Sequence, residues 1–267
     1  MRTDLVHTGS GIFGILLSLA FVSAVFGAEV DCLKCHAKLK GGKVLHAAVD
    51  MGCATCHGGI DASKVPHKKT NQAAKGLNSD QPDLCYGCHD KKAFEKKNLH
   101  AAVGMGCTSC HDPHSSGNAK LLKAEAPGLC YNCHDKKPFT AKTVHAPVAG
   151  GMCLSCHSPH ASDQIALLLK KPYDTCIECH AEVLKRPHIL ASSERTPTGH
   201  PLSPDKKDVV IKERKKESVS IVRKDPAKPG RQFYCGSCHD PHSTAGPLLF
   251  KFNAQMKMEL CGHCHKF

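Results

Sequence analysis

The sequence has little of the apolar material that an ordinary globular core requires. It contains no tryptophan, and only 5% of its 267 residues are aromatic. The apolar run over residues 12–26 is shorter than the roughly 20 residues of a comfortable bilayer span. No carboxylate pair, phosphate-binding glycine loop or Ser/His/Asp grouping stands out. We therefore expect neither a protein-only core of the usual kind nor one of these common catalytic constellations.

Cysteine is abundant, yet no thiol is left for a disulfide, a nucleophile or a thiolate metal site. All 18 cysteines belong to nine Cys-x-x-Cys-His motifs. This motif is the attachment signature of c-type haem: two thiols add to the porphyrin vinyl groups, and the adjacent imidazole reaches the iron from the proximal side. An array of zinc ribbons is the alternative, but it gives no reason for a His after every second Cys. The predicted haem-attaching residues are Cys32, Cys35, Cys53, Cys56, Cys85, Cys88, Cys107, Cys110, Cys130, Cys133, Cys153, Cys156, Cys176, Cys179, Cys235, Cys238, Cys261 and Cys264, and the predicted proximal ligands are His36, His57, His89, His111, His134, His157, His180, His239 and His265.

The histidines outside these motifs are nearly as regular as the motifs themselves. Of 20 histidines, nine belong to the motifs, His7 precedes them, and His263 lies inside the last Cys-x-x-Cys, where it is poorly placed to reach an iron. Nine remain, one for each predicted haem, and we predict that they are the second axial ligands. These nine are His46, His67, His100, His114, His145, His160, His188, His200 and His242.

Two spacings recur among the nine. One group follows a motif His by 10 or 11 residues, in a V/L-H-A context: His46, His100 and His145. A second group follows a motif His by three residues, in CHxPH: His114, His160 and His242. A His this close to a proximal ligand does not fold back comfortably over the same haem, so we expect it to bind a neighbouring one. For the irregularly spaced His67, His188 and His200, a surface position or a bond to a haem propionate is the alternative.

Two imidazoles on each iron predict an electron-transfer protein and not an enzyme, because a six-coordinate iron offers no position for a substrate. A multihaem reductase of nitrite, hydroxylamine or tetrathionate is the alternative. It requires an iron with an open or unusual ligand, and the sequence contains no CxxCK motif. Met51, Met105 and Met152 closely precede three motifs, and we expect them to pack against porphyrin in place of binding iron.

The motifs fall into repeated units, at about 30–80, 81–125, 126–171 and 172–267, within one nonahaem domain at 29–267. Roughly 27 residues per haem are too few for a separate core, so the haems must supply the interior. The predicted fold is a multihaem cytochrome c, mainly irregular coil with short α-helices wrapped around a stacked haem array, with little or no sheet. Residues 205–231 form a basic, haem-free insertion, for which we expect either a β-hairpin, at 209–211 and 219–222, or a mobile loop. Its role is either that of a solvated segment or that of a docking surface for an acidic partner.

The first 28 residues are typical of a secretory signal peptide. Arg2 lies in a short polar start, the apolar run follows, and Gly27 and Ala28 offer a cleavage site, with an uncleaved anchor as the alternative. Export agrees with the chemistry, because bacterial c-type haem is attached outside the cytoplasm. The formal charge of +12 does not predict nucleic-acid binding, because nine haems bring about 18 propionates and change the balance to about −6 before the irons are counted.

The repeated segments resemble those of the multihaem cytochromes c with doubled CXXCH motifs. The segments that carry the resemblance are LCYGCH, NLHAAVGMGCTSCHDPHSS and LLK, repeated as LCYNCH, TVHAPVAGGMCLSCHSPH and LLLK. The resemblance covers nearly all of residues 30–267 and implies closely stacked haems, bis-His ligation and respiratory electron transport. It also implies other redox proteins as donor and acceptor, in the periplasm, at the outer membrane or outside the cell. A subunit that docks inside an outer-membrane porin, or one that assembles into a conducting filament, is the alternative.

Overall fold

Short helical turns joined by irregular chain make up most of the structure, a computed structural model that describes residues 30–185, 210–212, 219–221 and 233–264. Side chains are described for residues 30–183 and 233–264. The predicted signal peptide at 1–28, most of the insertion at 205–231, and the predicted ligands His188, His200 and His265 lie outside the described residues.

The described helices are brief, and glycine follows the last residue of several of them, as Gly41, Gly52 and Gly58 do. The longest described α-helix has 9 residues and begins with Pro172, whose fixed φ suits a first turn. The α-helices are α1 (Leu33–His36), α2 (Ala54–His57), α3 (Asp83–Tyr86), α4 (Gly128–Tyr131), α5 (Ala146–Ala149), α6 (Pro172–His180) and α7 (Lys257–Gly262). The 3-10 helices are Ala37–Lys40, Ala47–Met51, Ala74–Gly76, Lys91–Ala93, Ala101–Met105, Cys107–Ser109, Ala119–Leu121, Lys137–Phe139, Cys153–Ser155, Ile165–Leu167, Ala181–Lys185, Cys235–Ser237, Pro247–Leu249 and Lys251–Asn253.

Sheet in the described residues is confined to two-stranded antiparallel ladders. The strands are β1 (Val44–Leu45), β2 (Ile60–Asp61), β3 (Lys68–Lys69), β4 (Asn98–Leu99), β5 (Ser115–Ser116), β6 (Thr143–Val144), β7 (Ala161–Ser162), β8 (Val210–Lys212), β9 (Val219–Ile221) and β10 (Ser243–Thr244). β2 pairs with β3, and β8 pairs with β9 so that Val210 lies opposite Ile221. The insertion therefore contains a hairpin, with bounds that differ by one residue from those predicted. The prediction of coil, short helices and little sheet is confirmed.

Three of the ladders join consecutive units of the chain. β1 pairs with β5, β4 with β7, and β6 with β10. In each ladder, the strand that precedes a V/L-H-A histidine lies beside the strand that follows a CHxPH histidine of the next unit. The backbone N–H of His46, for example, donates to the carbonyl of His114 over 2.9 Å. Ladders of two residues thus hold histidines from different units side by side.

Protein atoms alone bury few apolar side chains. In the part of the chain with described side chains, the buried apolar residues are Ala161, Phe233, Phe250 and Ala254, and no large side chain is fully buried. Buried hydroxyls close local loops, because Ser116, Ser162 and Thr244 each donate to the carbonyl six residues further along. A protein core this small is what the composition predicts.

Candidate haem-binding sites

Each described Cys-x-x-Cys-His motif is wound into one helical turn. The backbone N–H of the motif His donates to the carbonyl of the first Cys over about 3 Å, as His36 does to Cys32 over 2.9 Å. Positions i, i+3 and i+4 share one face of such a turn. The two thiols and the imidazole therefore lie on one side of the backbone, which suits a flat macrocycle held at its edge and bound at its centre. We number the sites by motif, from site 1 at Cys32 to site 9 at Cys261.

The motifs follow one another in space in the order of the sequence. Thiols from the two motifs of one unit are neighbours in the pairs Cys32–Cys53, Cys85–Cys107, Cys130–Cys153 and Cys176–Cys235. Thiols of adjoining units are electrostatic neighbours in the pairs Cys56–Cys85, Cys110–Cys130 and Cys156–Cys176. Burial and these neighbouring thiols raise the pKa of Cys85 to about 11 in the free chain. Sites 1 to 8 thus form one continuous row.

The histidines meet in pairs that combine one motif His with one His from outside the motifs. Seven such pairs lie in the described residues, with ring centroids 6.0 or 6.1 Å apart. In order of site, from 1 to 7, the pairs are His36–His67, His57–His114, His89–His46, His111–His160, His134–His100, His157–His242 and His180–His145. At every site but the first, the two histidines come from different units.

This spacing fits two imidazoles bound to opposite faces of one iron. Two metal–imidazole bonds of about 2.0 Å, with the ring radius added on each side, place the centroids about 6 Å apart. Rings in direct contact lie closer together, as the centroids of Phe252 and His263 do at 4.1 Å. The residues present therefore fit haem iron with two axial imidazoles.

At sites 3, 5 and 7, the second histidine is oriented by a proline carbonyl of the next unit. Its Nδ1 lies 2.8–3.0 Å from that oxygen in the pairs His46–Pro113, His100–Pro159 and His145–Pro241. A carbonyl oxygen only accepts hydrogen bonds, so Nδ1 carries the proton and donates it. The lone pair is then on Nε2, where a metal can be bound. His67 of site 1 makes the same bond to the carbonyl of Lys64 over 2.7 Å.

At sites 2, 4, 6 and 8, the motif His is oriented in the same way by a strained backbone carbonyl. Its Nδ1 lies 2.8–3.1 Å from the acceptor in the pairs His57–Lys75, His111–Lys120, His157–Ala166 and His239–Leu248. These four acceptor residues have left-handed φ values of 51–57°. Such a conformation costs a non-glycine residue on the order of 1–3 kcal/mol and is typical of functional positions. The sequence does not reveal these carbonyls, although LLK segments follow two of them, at Lys120 and Ala166.

Comparison with known families agrees with this geometry. The doubled CXXCH motif family matches residues 46–94, 100–139, 145–185 and 226–267, more than half of the chain. The chain belongs to this family. It is a multihaem c-type cytochrome, an electron-transfer protein with covalently bound haems. No curated protein matches the chain.

The matched segments of the cytochrome follow the histidine pairing. The first three begin at His46, His100 and His145, and each contains both histidines of one pair, at sites 3, 5 and 7. The motif that begins at Cys32 precedes the first segment. In the described parts of the cytochrome, no three His, Cys, Asp or Glu side chains converge to hold a metal ion by themselves, and no helix has both the length and the apolar character needed to cross a bilayer.

Burial affects the three CHxPH histidines of the cytochrome. Desolvation by burial lowers the pKa of His114, His160 and His242, which favours the neutral imidazole that a metal requires. Phenylalanines contact two of these rings: the centroid of Phe94 lies 4.9 Å from that of His160, and the centroid of Phe139 lies 5.0 Å from that of His242. Sequence analysis does not single out these phenylalanines.

A substitution at Gly42 tests how much the β1–β5 ladder stabilises the cytochrome. Its N–H donates to Ser115 Oγ over 3.0 Å, and a Cβ at this position would lie 2.7 Å from the carbonyl carbon and oxygen of Ser116. We expect Gly42→Ala to separate β1 from β5 and to lower the free energy of unfolding of the holoprotein by about 1–3 kcal/mol. Urea unfolding followed by far-UV circular dichroism measures this.

Gly117 provides the matched control, because it follows β5 of the same ladder and a Cβ there meets no atom within 4 Å. We expect Gly117→Ala to change the free energy of unfolding by less than about 0.5 kcal/mol. Equal effects of the two substitutions would show that the ladder does not depend on the close approach at Gly42.

Proposed function

We propose that this cytochrome carries single electrons along nine bis-histidine haems, between redox proteins, in anaerobic or extracellular respiration. The observation that carries the proposal is the set of seven histidine pairs at 6.0 or 6.1 Å. Each pair would fill both axial positions of one iron. Haem iron bound in this way supplies one-electron chemistry without a position for substrate.

The number of nine haems is supported by the motifs and by the geometry of site 1. The matched family segments contain the motifs of sites 2 to 9. Site 1 has the same helical turn, a thiol, that of Cys32, close to Cys53, and the His36–His67 pair. We assign the two predicted ligands outside the described residues, His188 and His200, to the two remaining sites, those of His239 and His265.

The polypeptide's part in this function is to hold the irons in order and at fixed spacing. The histidine pairs of sites 2 to 7 tie consecutive units together, so that the units cannot separate without loss of a ligand. Each of the β1–β5, β4–β7 and β6–β10 ladders holds one histidine from each of two neighbouring pairs, as β1–β5 holds His46 of site 3 beside His114 of site 2. The continuous row of thiols from Cys32 to Cys235 supports a linear path for electrons.

Export to the periplasm or the cell exterior is part of the proposal. Residues 1–28 support it, with Arg2, an apolar run and a Gly27–Ala28 cleavage site in the order of a secretory signal. We propose redox proteins that exchange single electrons as donor and acceptor. The net formal charge of +12, set against the propionates of nine haems, gives no support to a nucleic-acid partner.

Carbon monoxide distinguishes an electron carrier from a reductase. We expect the visible spectrum of the fully reduced holoprotein to be unchanged after carbon monoxide is added, because each iron keeps two imidazoles. Nine haems per chain by mass spectrometry would complete the test. A clear spectral shift would reveal an exchangeable site, and assays for reduction of nitrite, hydroxylamine and tetrathionate would then show whether the protein is a reductase.

A further inference from the structure

The three CHxPH segments differ in one residue that lies next to the second axial histidine. The residue after the motif His is Asp112 before His114, Ser158 before His160, and Asp240 before His242. These histidines belong to sites 2, 4 and 6 of the row. Two of the three sites thus have a carboxylate where the middle one has a hydroxyl.

All three residues serve the same local turn, so the turn does not explain the difference. Asp112 Oδ1 accepts from the backbone N–H of His114 over 2.9 Å, and Asp240 Oδ1 accepts from that of His242 over 2.9 Å. Ser158 Oγ accepts from the backbone N–H of Ala161 over 3.3 Å, as Asp112 Oδ1 does from that of Ser115 over 3.3 Å. What distinguishes the sites is the negative charge.

The carboxylates lie close to Nδ1 of the second imidazole. Asp112 Oδ1 is 3.7 Å from His114 Nδ1, and Asp240 Oδ1 is 3.9 Å from His242 Nδ1. In the described residues, no carboxylate forms such a pair with His160. The same carboxylates oppose the effect of burial, which lowers the pKa of both rings.

Sites 4 and 6 are matched in their other contacts. In both, Nδ1–H of the motif His donates over 2.8 Å to the carbonyl of a residue with a left-handed φ. In both, a phenylalanine contacts the second histidine, Phe94 at site 4 and Phe139 at site 6. Ser158 and Asp240 therefore differ in charge beside two histidines that have similar contacts.

When Nε2 of an imidazole binds a metal, a carboxylate beside Nδ1 makes the ring a stronger donor to that metal. It also places negative charge near the metal. Both effects favour the ferric over the ferrous state. We propose that Asp112 and Asp240 hold sites 2 and 6 at lower reduction potentials than site 4. This inference rests on the bis-histidine ligation proposed above. The three residues would then give sites 2, 4 and 6 a low–high–low order of potentials, so that among these three sites an electron would favour site 4.

Reciprocal substitutions in the full-length holoprotein test this inference. Asp240→Asn removes the charge, and Asn keeps the turn because its side-chain oxygen accepts the same backbone hydrogen bond. Ser158→Asp adds the charge at the matched site. In a redox titration each iron gains one electron from the added reductant, and no bond or proton changes place. Visible absorption gives the midpoint potentials, and electron paramagnetic resonance of the ferric protein follows the individual low-spin signals.

We expect Asp240→Asn to raise the midpoint potential of one haem and Ser158→Asp to lower that of one haem. A tenfold change in the reduction equilibrium of one haem corresponds to about 59 mV for one electron, and shifts of this order are expected. Asp50→Asn is the control, because Asp50 pairs with Lys40 over 2.8 Å and forms no ion pair with a histidine in the described residues. It is expected to leave the potentials of sites 4 and 6 unchanged.

Two different failures are distinguishable. If the variants stay low-spin and do not bind carbon monoxide, but neither reciprocal substitution shifts a potential, the inference about the carboxylates is wrong and bis-histidine ligation stands. If the wild type itself binds carbon monoxide at these sites, the proposed function fails first. A shift that is the same for Asp50→Asn would also overturn the inference, since it would reflect total charge and not the position beside the imidazole.

Discussion

Carbon monoxide is expected to bind one iron in the reduced His100→Ala holoprotein and none in the wild type. The ring of His100 lies 6.0 Å from that of His134, at the distance of two imidazoles on one metal. Its removal leaves that iron with one protein ligand and an open position, so the iron becomes high-spin in the oxidised state. Titration with carbon monoxide should give one site per chain, and electron paramagnetic resonance should show one new high-spin signal.

His263 is the control for this substitution, since its ring stacks on Phe252 with centroids 4.1 Å apart and forms no 6 Å pair in the described residues. We expect His263→Ala to bind no carbon monoxide. A density map of the His100→Ala holoprotein should show that the iron at Cys130 and Cys133 has lost its ligand. Loss at Cys85 and Cys88 would contradict the pairing of different units, because those cysteines belong to the unit of His100 itself.

The pairing of His100 with His134 illustrates what the sequence leaves undetermined. The spacing of the motifs is sufficient to predict nine attachment turns, because Cys, Cys and His at i, i+3 and i+4 share a face in any helical turn. The same spacing does not reveal which histidines meet. Their pairing depends on contacts such as β4 with β7, a ladder of two residues whose strands are more than 60 positions apart. So short a strand has no periodic pattern that a sequence could display.

The strained carbonyls show a second limit of sequence analysis. The backbone of Lys120 has a φ of 57°, and nothing in a lysine side chain predicts a left-handed conformation. Two hydrogen bonds close the loop that contains Lys120. Ser116 Oγ donates to the carbonyl of Leu122, and the N–H of Asp112 donates to the carbonyl of Leu121 over 2.8 Å. These bonds turn the Lys120 carbonyl toward His111. The repeated LLK segment is the visible sign of this loop, but its role appears only in the structure.

Composition predicts the weak protein core well, and this leads to the prediction with the most extensive structural effect. The chain made without haem attachment, with all 18 cysteines as free thiols, is expected to be unfolded. Ordering the backbone costs about 1–2 kcal/mol per residue, and burial of apolar surface normally offsets that cost. In the described residues, the buried apolar side chains are two alanines and two phenylalanines. Far-UV circular dichroism should show coil, and amide proton shifts should have narrow dispersion.

The haem-loaded protein is the reference for that experiment. A variant without site 1 tests how far the loss of one haem disturbs the folded structure. Cys32→Ala with Cys35→Ala removes the attachment point of site 1, whose two histidines, His36 and His67, both belong to the first unit. No other site loses a ligand, so we expect disorder confined to the surroundings of site 1 and unchanged spectra for the other haems. Removal of site 5 by Cys130→Ala with Cys133→Ala should have a wider effect, because His134 and His100 connect two units. A cooperative unfolding transition of the haem-free chain would contradict this account, since it would show that the protein atoms alone form a core.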